Sequence, residues 1–127
     1  MSQQSSSVDF TSKVTSMEVR PGAAGSLIVV ANVEGSSEAF GPFIGTLCIT
    51  PAGYPTGTWD YHAYALPTSG AVVTGSAHGR FESIGTNRWK VVGAGSIVVN
   101  GVPQRMRLES EADLASRGWN GKLIPMD

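Results

Sequence analysis

Both histidines and a set of carboxylate, phenol and guanidinium groups crowd into residues 56–91, TGTWDYHAYALPTSGAVVTGSAHGRFESIGTNRWKV. Asp60, His62 and Tyr64 alternate along one run, and His78, Arg80 and Glu82 alternate along the next. A carboxylate facing an imidazole is the minimal equipment for general acid–base work. The carboxylate orients the ring and raises its proton affinity, and the ring then moves a proton near neutral pH. Asp60 and His78 are the candidates for that pair. His62, Tyr64, Arg80 and Glu82 make a second polar cluster around it, in which Arg80 can hold a carboxylate or enolate. The chemistry would be an isomerisation or cyclisation needing no cofactor, and it requires the polar face to be enclosed. On a solvated face the same ion pairs contribute at most about 1 kcal/mol each. His62 and His78 lie diagonally across neighbouring strands, so no metal site is expected.

These residues must be positioned by strands, because their spacing has a period of two. Trp59, Tyr61, Ala63 and Ala65 fall on one face of the first run, opposite Thr58, Asp60, His62 and Tyr64. The next run puts Val73, Gly75, Ala77, Gly79 and Phe81 on its apolar face, and no helix tolerates that alternation. A loop at Thr68-Ser69-Gly70 pairs like face with like, with glycine where a left-handed residue is wanted. It places Trp59 across from Gly79, Tyr61 from Ala77, Ala65 from Val73, Asp60 from His78 and His62 from Ser76. A slip of one residue would reverse every face. A turn at Gly85-Thr86-Asn87 pairs Phe81 with Val91 and Glu82 with Lys90. A type I′ turn at Asn100-Gly101 pairs Lys90 with Glu111 and Arg88 with Asp113.

The remaining segments read the same way. Val8 to Arg20 alternates with a phase shift between Val14 and Met17 that implies a bulge. Pro21 to Gly25 is a turn, and Leu27 to Glu34 is apolar enough to be buried on both faces, ending at Gly35-Ser36-Ser37. Ala39 to Thr50 presents Phe43, Gly45, Leu47 and Ile49, with Gly45 expected across from Tyr61, and Pro51 to Pro55 turns the chain. Asn87 to Val99 carries Gly93 and Gly95 as signs of a bend or bulge, since glycine inside a strand means curvature or close approach. Gln104 to Asp113 turns Met106 and Leu108 inward, although Glu109 to Arg117 admits a short helical alternative, and Gly118 to Ile124 is a last strand. Residues 1–7 read as a disordered leader before one domain spanning 8–127. About eight strands with short connections predict an all-β fold, a single antiparallel meander closed into a small barrel, with a β-sandwich as the alternative.

The succession GTLCI, GTWDY, SGAVVTGSAHGRFESIG and RWKVVGAGS resembles the small bacterial proteins of unknown function with an allene oxide cyclase-like barrel, relatives of the calycins. The resemblance implies an eight-stranded barrel, frequent oligomerisation and, from the plant cyclases, an apolar fatty-acid cavity. None of the cyclases' catalytic residues finds a matching position in this chain.

Composition narrows the partners. A chain of 127 residues with a formal charge of -1 has no basic footprint for nucleic acid or for an anionic membrane. Cys48 is the only cysteine, which excludes an internal disulfide, fits a reducing compartment and is read as a small hydrophobe. No signal-peptide pattern or membrane-spanning run is found, so a cytoplasmic location is expected. If the apolar face lines the barrel, Trp59, Tyr61, Phe81, Trp89, Met106 and Leu108 surround a lumen in which Ala63, Gly75, Ala77, Gly79 and Gly93 leave room. The leading expectation is then a small apolar or amphipathic ligand held inside the barrel. The acid–base enzyme and a purely structural oligomer are the alternatives. Ile44, Val72 and Val98, apolar residues on the polar face, are candidates for the contact of a homodimer or trimer.

Overall fold

The computed structural model describes residues 7–51 and 55–126. Its strands are β1 (Val8–Pro21), β2 (Leu27–Ser37), β3 (Gly41–Pro51), β4 (Thr56–Ala65), β5 (Val73–Gly85), β6 (Arg88–Val99), β7 (Val102–Asp113) and β8 (Gly118–Pro125), with a short 3-10 turn at Ala23–Gly25. Each strand pairs antiparallel with the next, and β8 returns to β1 to close the barrel. Closure is made by the first half of β1, from Val8 opposite Leu123 to Lys13 opposite Gly118. The expected leader over residues 1–7 lies outside the described residues apart from Ser7, and the expected turn over 51–55 falls largely outside them.

The turns set the register as their chemistry predicts. Asn100 and Gly101 both take positive φ, 49° and 85°, between Val99 and its partner Val102. Lys90 meets Glu111 and Arg88 meets Asp113, while Phe81 meets Val91 and Glu82 meets Lys90. Between β4 and β5 all the expected partners hold, Asp60 with His78 and Trp59 with Gly79 among them. The connection is longer than a three-residue loop, however: it runs over 66–72, with Gly70 at a φ of 81°. Ala71 and Val72 leave the ladder because the Asn100 side chain accepts the Val72 N–H at 2.9 Å and the Asn100 N–H donates to the Val72 carbonyl.

Three expectations need correction. Gly45 pairs with Ala63, and Leu47 takes the place across from Tyr61. The parity was right and the offset was two residues, since the Tyr61 ring leans diagonally so that a Cβ on Gly45 would collide with it. Gly93 and Gly95 mark no bulge, as pairing runs unbroken through them. A side chain at Gly93 would strike the His78 carbonyl and the Trp59 indole, so of the two expected meanings it is close approach of neighbouring strands that holds. Leu27 to Glu34 is not buried on both faces: Ala31 and Val33 are 1% exposed on the inner face, Asn32 and Glu34 on the other face are exposed, and even on the inner face Leu27 at the strand's start is 59% exposed. That part of β2 pairs with the second half of β1, beyond the stretch that β8 covers. The phase shift in β1 is real and falls between Val14 and Ser16. Glu109 to Asp113 is strand, without the helical alternative.

Apolar side chains point into the barrel. Its core contains Phe10, Ala31, Val33, Leu47, Trp59, Val91, Leu108 and Trp119, all nearly inaccessible to solvent.

Candidate functional site

The inward face is divided between rings and small residues. Where β3 ends and β4 begins, rings fill the lumen. Phe81 packs edge-on against Trp89 with centroids 5.5 Å apart, and a Cβ on Gly57 would collide with the Phe81 ring. The Trp59 indole lies over Gly93, and its N–H is shared between the backbone carbonyls of Arg80 at 3.1 Å and Val92 at 3.3 Å. Trp59 therefore buries a large ring without stranding its donor.

Toward the opposite rim, where β4 passes into β5, the facing residues are Ala63 with Gly75 and Tyr61 with Ala77. Small side chains there leave a cavity of about 100 Å³. Its wall includes Tyr61, Ala63, Ala77, Met106, Leu108 and Trp119. All six residues expected to line the lumen face inward, and of them Tyr61, Met106 and Leu108 border this cavity. Trp59, Phe81 and Trp89 are outside this cavity's lining, with the rings at the other end. Phe43, read on the apolar face of its strand, also lines the cavity, whereas sequence reasoning did not name Phe10, Leu123 or above all Trp119 as lining residues. Trp119 is 2% exposed and packs edge-on against Tyr61 at 5.0 Å and Phe10 at 5.3 Å. The alternation of Trp119, Gly121 and Leu123 in the last strand held that signal.

Polar groups in this wall are few and mostly satisfied. The Trp119 N–H donates to Ser110 Oγ at 2.9 Å, and that hydroxyl donates in turn to the Val91 carbonyl at 2.7 Å. Ser37 Oγ accepts the Phe40 N–H at 3.1 Å. Tyr61 is the exception: its hydroxyl is buried and meets no hydrogen-bonding group among the described residues. Burial pushes its ionisation well above the ordinary tyrosine value, because a phenolate in an apolar wall has no solvation.

The polar cluster stands on the outer wall. His78, Arg80, Glu82 and Tyr64 are exposed, and the side chains of Asp60 and His62 are 51% and 70% exposed. Asp60 and His78 are cross-strand partners as expected, yet the Asp60 carboxylate pairs with His62 Nε2 at 3.3 Å, two residues along its own strand. The enclosure that acid–base catalysis needed is absent at this cluster. The charges beside it form solvated pairs of the same kind, Arg88 with Glu111 at 2.9 Å and Arg107 with Glu109 at 3.2 Å. Among the described residues no three His, Cys, Asp or Glu side chains converge where a metal ion could sit, and no helix is long and apolar enough to cross a membrane. A row of apolar and aromatic side chains also crosses the outer wall, since Ile44, Tyr64, Thr74 and Val98 are successive cross-strand neighbours. No protein-family model matches the chain, and neither a curated protein nor a solved structure matches it.

Proposed function

We propose that the barrel binds a small apolar or amphipathic molecule in its lumen. The carrying observation is the apolar cavity of about 100 Å³ beside Tyr61, Ala63 and Ala77. Apolar side chains left uncovered in this space, which opens at the rim, carry a cost that larger residues at Ala63 or Gly75 would recover. A ligand offsets that cost when it binds. The size also restricts the occupant. Pockets for drug-sized molecules measure roughly 300–1,000 Å³, so this space suits a few heavy atoms rather than the fatty-acid chain implied by the likeness to allene oxide cyclase-like barrels.

Saturable binding of small hydrocarbons, followed by tryptophan emission and amide NMR shifts, tests the reading. Ala63→Leu, whose added carbons occupy most of the space, is expected to remove binding while the protein stays folded. Asp60→Asn and His78→Ala, on the outer wall, are expected to leave it unchanged. Binding undiminished in Ala63→Leu would place the ligand elsewhere and sink the proposal.

A second reading, assembly into a dimer or trimer, is favoured by the outer row, in which Ile44 is 50% and Tyr64 60% exposed. Sedimentation of the protein and of Ile44→Lys tests it. A monomer at all concentrations would refute it. The isomerase or cyclase reading has less support, because Asp60 and His78 face solvent.

A further inference from the structure

We infer that the free edge of β1 is a self-docking surface: two copies of the chain pair antiparallel through residues 17–21, with Val19 at the two-fold axis. The inference needs neither a ligand in the lumen nor the outer row at Ile44 and Tyr64. It is carried by one juxtaposition, an unpaired strand edge whose two charges, Glu18 and Arg20, stand where a second copy of the same edge complements them.

β1 is longer than the strand that closes the barrel on it. β8 pairs with it only from Val8 to Lys13, and the Val14 N–H then donates to the Arg117 carbonyl at 2.8 Å. Past the bulge, β1 pairs with β2 alone, so no strand among the described residues lies on the other side of 15–21. Parity says which groups are left over. The Gly22 N–H donates to the Ser26 carbonyl across the hairpin at 2.8 Å, and main-chain groups along a strand alternate sides with a period of two. Arg20 and Glu18 therefore bond to β2, while Met17 and Val19 turn both N–H and C=O outward and Pro21 turns out a carbonyl only. An edge of this kind is a template for another strand. Side chains on it are uncovered as well: Met17 is 42%, Val19 64% and Leu27 59% exposed, although they continue the face that buries Ala31 and Val33.

Charge then selects the register. Directly opposed residues of an antiparallel pair share a face, so a two-fold axis perpendicular to the sheet brings one residue opposite its own copy. With Glu18 or Arg20 on the axis, like charges meet. With Met17 there, Glu18 faces Ser16. Val19 on the axis sets each Glu18 across from the second copy's Arg20, twice over. Within one chain the two side chains pair along the strand while more than half exposed, which contributes little. The same register makes two bonds between the Val19 residues and one from each Met17 N–H to the Pro21 carbonyl opposite, where proline ends the ladder. Antiparallel order carries each closed barrel beyond the other's Pro21, away from β8. Each free edge satisfies the other and none is left, so assembly stops at the dimer. A strip one strand long lies at the small end of the interface range, below about 1,200 Å², and the association is weak.

Glu18→Lys and Arg20→Glu test the register, since each gives the exposed edge one sign of charge and the two variants complement each other. In sedimentation over a concentration series the wild type is expected to dimerise. Each variant alone should associate about tenfold more weakly, and an equimolar mixture of the two should recover wild-type association. Amide hydrogen exchange of the wild type locates the contact without any variant. Protection at Met17 and Val19 should rise with protein concentration, while Glu18 and Arg20, bonded within the hairpin, should not change. A wild type that stays monomeric up to about 1 mM overturns the inference. So does a dimer lost in Ile44→Lys yet unmoved by either charge variant, which places the contact on the outer row, and so does a dimer whose Met17 and Val19 amides exchange as fast as in the monomer.

Discussion

Tyr61→Phe should make the ligand-free protein more stable, the reverse of what removing a buried tyrosine hydroxyl does where that hydroxyl is bonded. A hydroxyl taken out of water without a partner costs about 1–3 kcal/mol, and the Tyr61 hydroxyl is buried with no such partner among the described residues. Deleting it recovers that penalty. The deletion also enlarges the neighbouring space by the volume of one oxygen, roughly 10–15 Å³, which at about 24 cal/mol per Å³ forfeits about 0.3 kcal/mol. The net gain is on the order of 1 kcal/mol. With an unfolding entropy of about 2.1 cal/mol/K per residue over 127 residues, that raises the melting temperature by about 4 °C. Thermal and urea unfolding at neutral pH, followed by tryptophan emission and far-UV circular dichroism, measure it. A melting temperature lowered by 4 °C or more would mean that the hydroxyl has a partner in the folded state, an ordered water included. The accounting that leaves it unpartnered would then be wrong.

The same residue sets a pH dependence. Its folded-state ionisation lies above the ordinary value because of burial, so below about pH 10 both folded and unfolded chains hold the proton and Tyr61 adds no slope. As pH rises past about 10 only the unfolded chain loses it, and stability should fall by up to about 1.4 kcal/mol per pH unit. Urea midpoints at pH 9, 10 and 11 are expected to decline more steeply in the wild type than in Tyr61→Phe, and parallel declines would refute the assignment. Gly45→Ala forces a Cβ into the Tyr61 ring and should destabilise by about 1–3 kcal/mol, most of it vanishing in a Tyr61→Ala background. At Gly75 the nearest side-chain atom to an added Cβ is 3.8 Å away, so Gly75→Ala should be neutral or slightly stabilising in the same urea assay.

Register was the most legible property of this sequence, because each turn fixes it chemically and a slip reverses a whole face. Asn100-Gly101 alone determines the pairing of Lys90 with Glu111 and of Arg88 with Asp113. What turn chemistry does not specify is which face closes inward and how residues meet between strands that no short loop joins. The pairing of β3 with β4 shows the difficulty. Alternation alone allowed Gly45 to face Tyr61 or Ala63, and an offset of two residues preserves every apolar face. The contribution of Trp119 was hidden for a related reason, since β8 reaches Tyr61 only through closure on β1. The outer polar cluster was legible as a juxtaposition, Asp60 opposite His78. Its exposure followed only once the rings at Trp59, Phe81 and Trp119 had claimed the interior.

The division of the lumen gives one tyrosine two structural roles, packing against the rings and walling the cavity. A barrel of eight strands is just wide enough for side chains to fill it or for one small ligand to share it. Here the filling is uneven along the axis. Trp59, Phe81 and Trp89 occupy one end, and their polar atom at Trp59 is satisfied by backbone carbonyls. Ala63, Gly75 and Ala77 leave the other end open. Tyr61 stands between them, its ring held by the edge contact with Trp119 and its hydroxyl tucked against Gly45. Replacing Gly45 with alanine should therefore displace the ring and weaken hydrocarbon binding as well as stability. Replacing Gly75, where the nearest side-chain atom to an added Cβ is 3.8 Å away, should alter cavity volume alone. If both substitutions changed hydrocarbon binding equally, the lean of the ring over Gly45 would have no part in shaping the cavity.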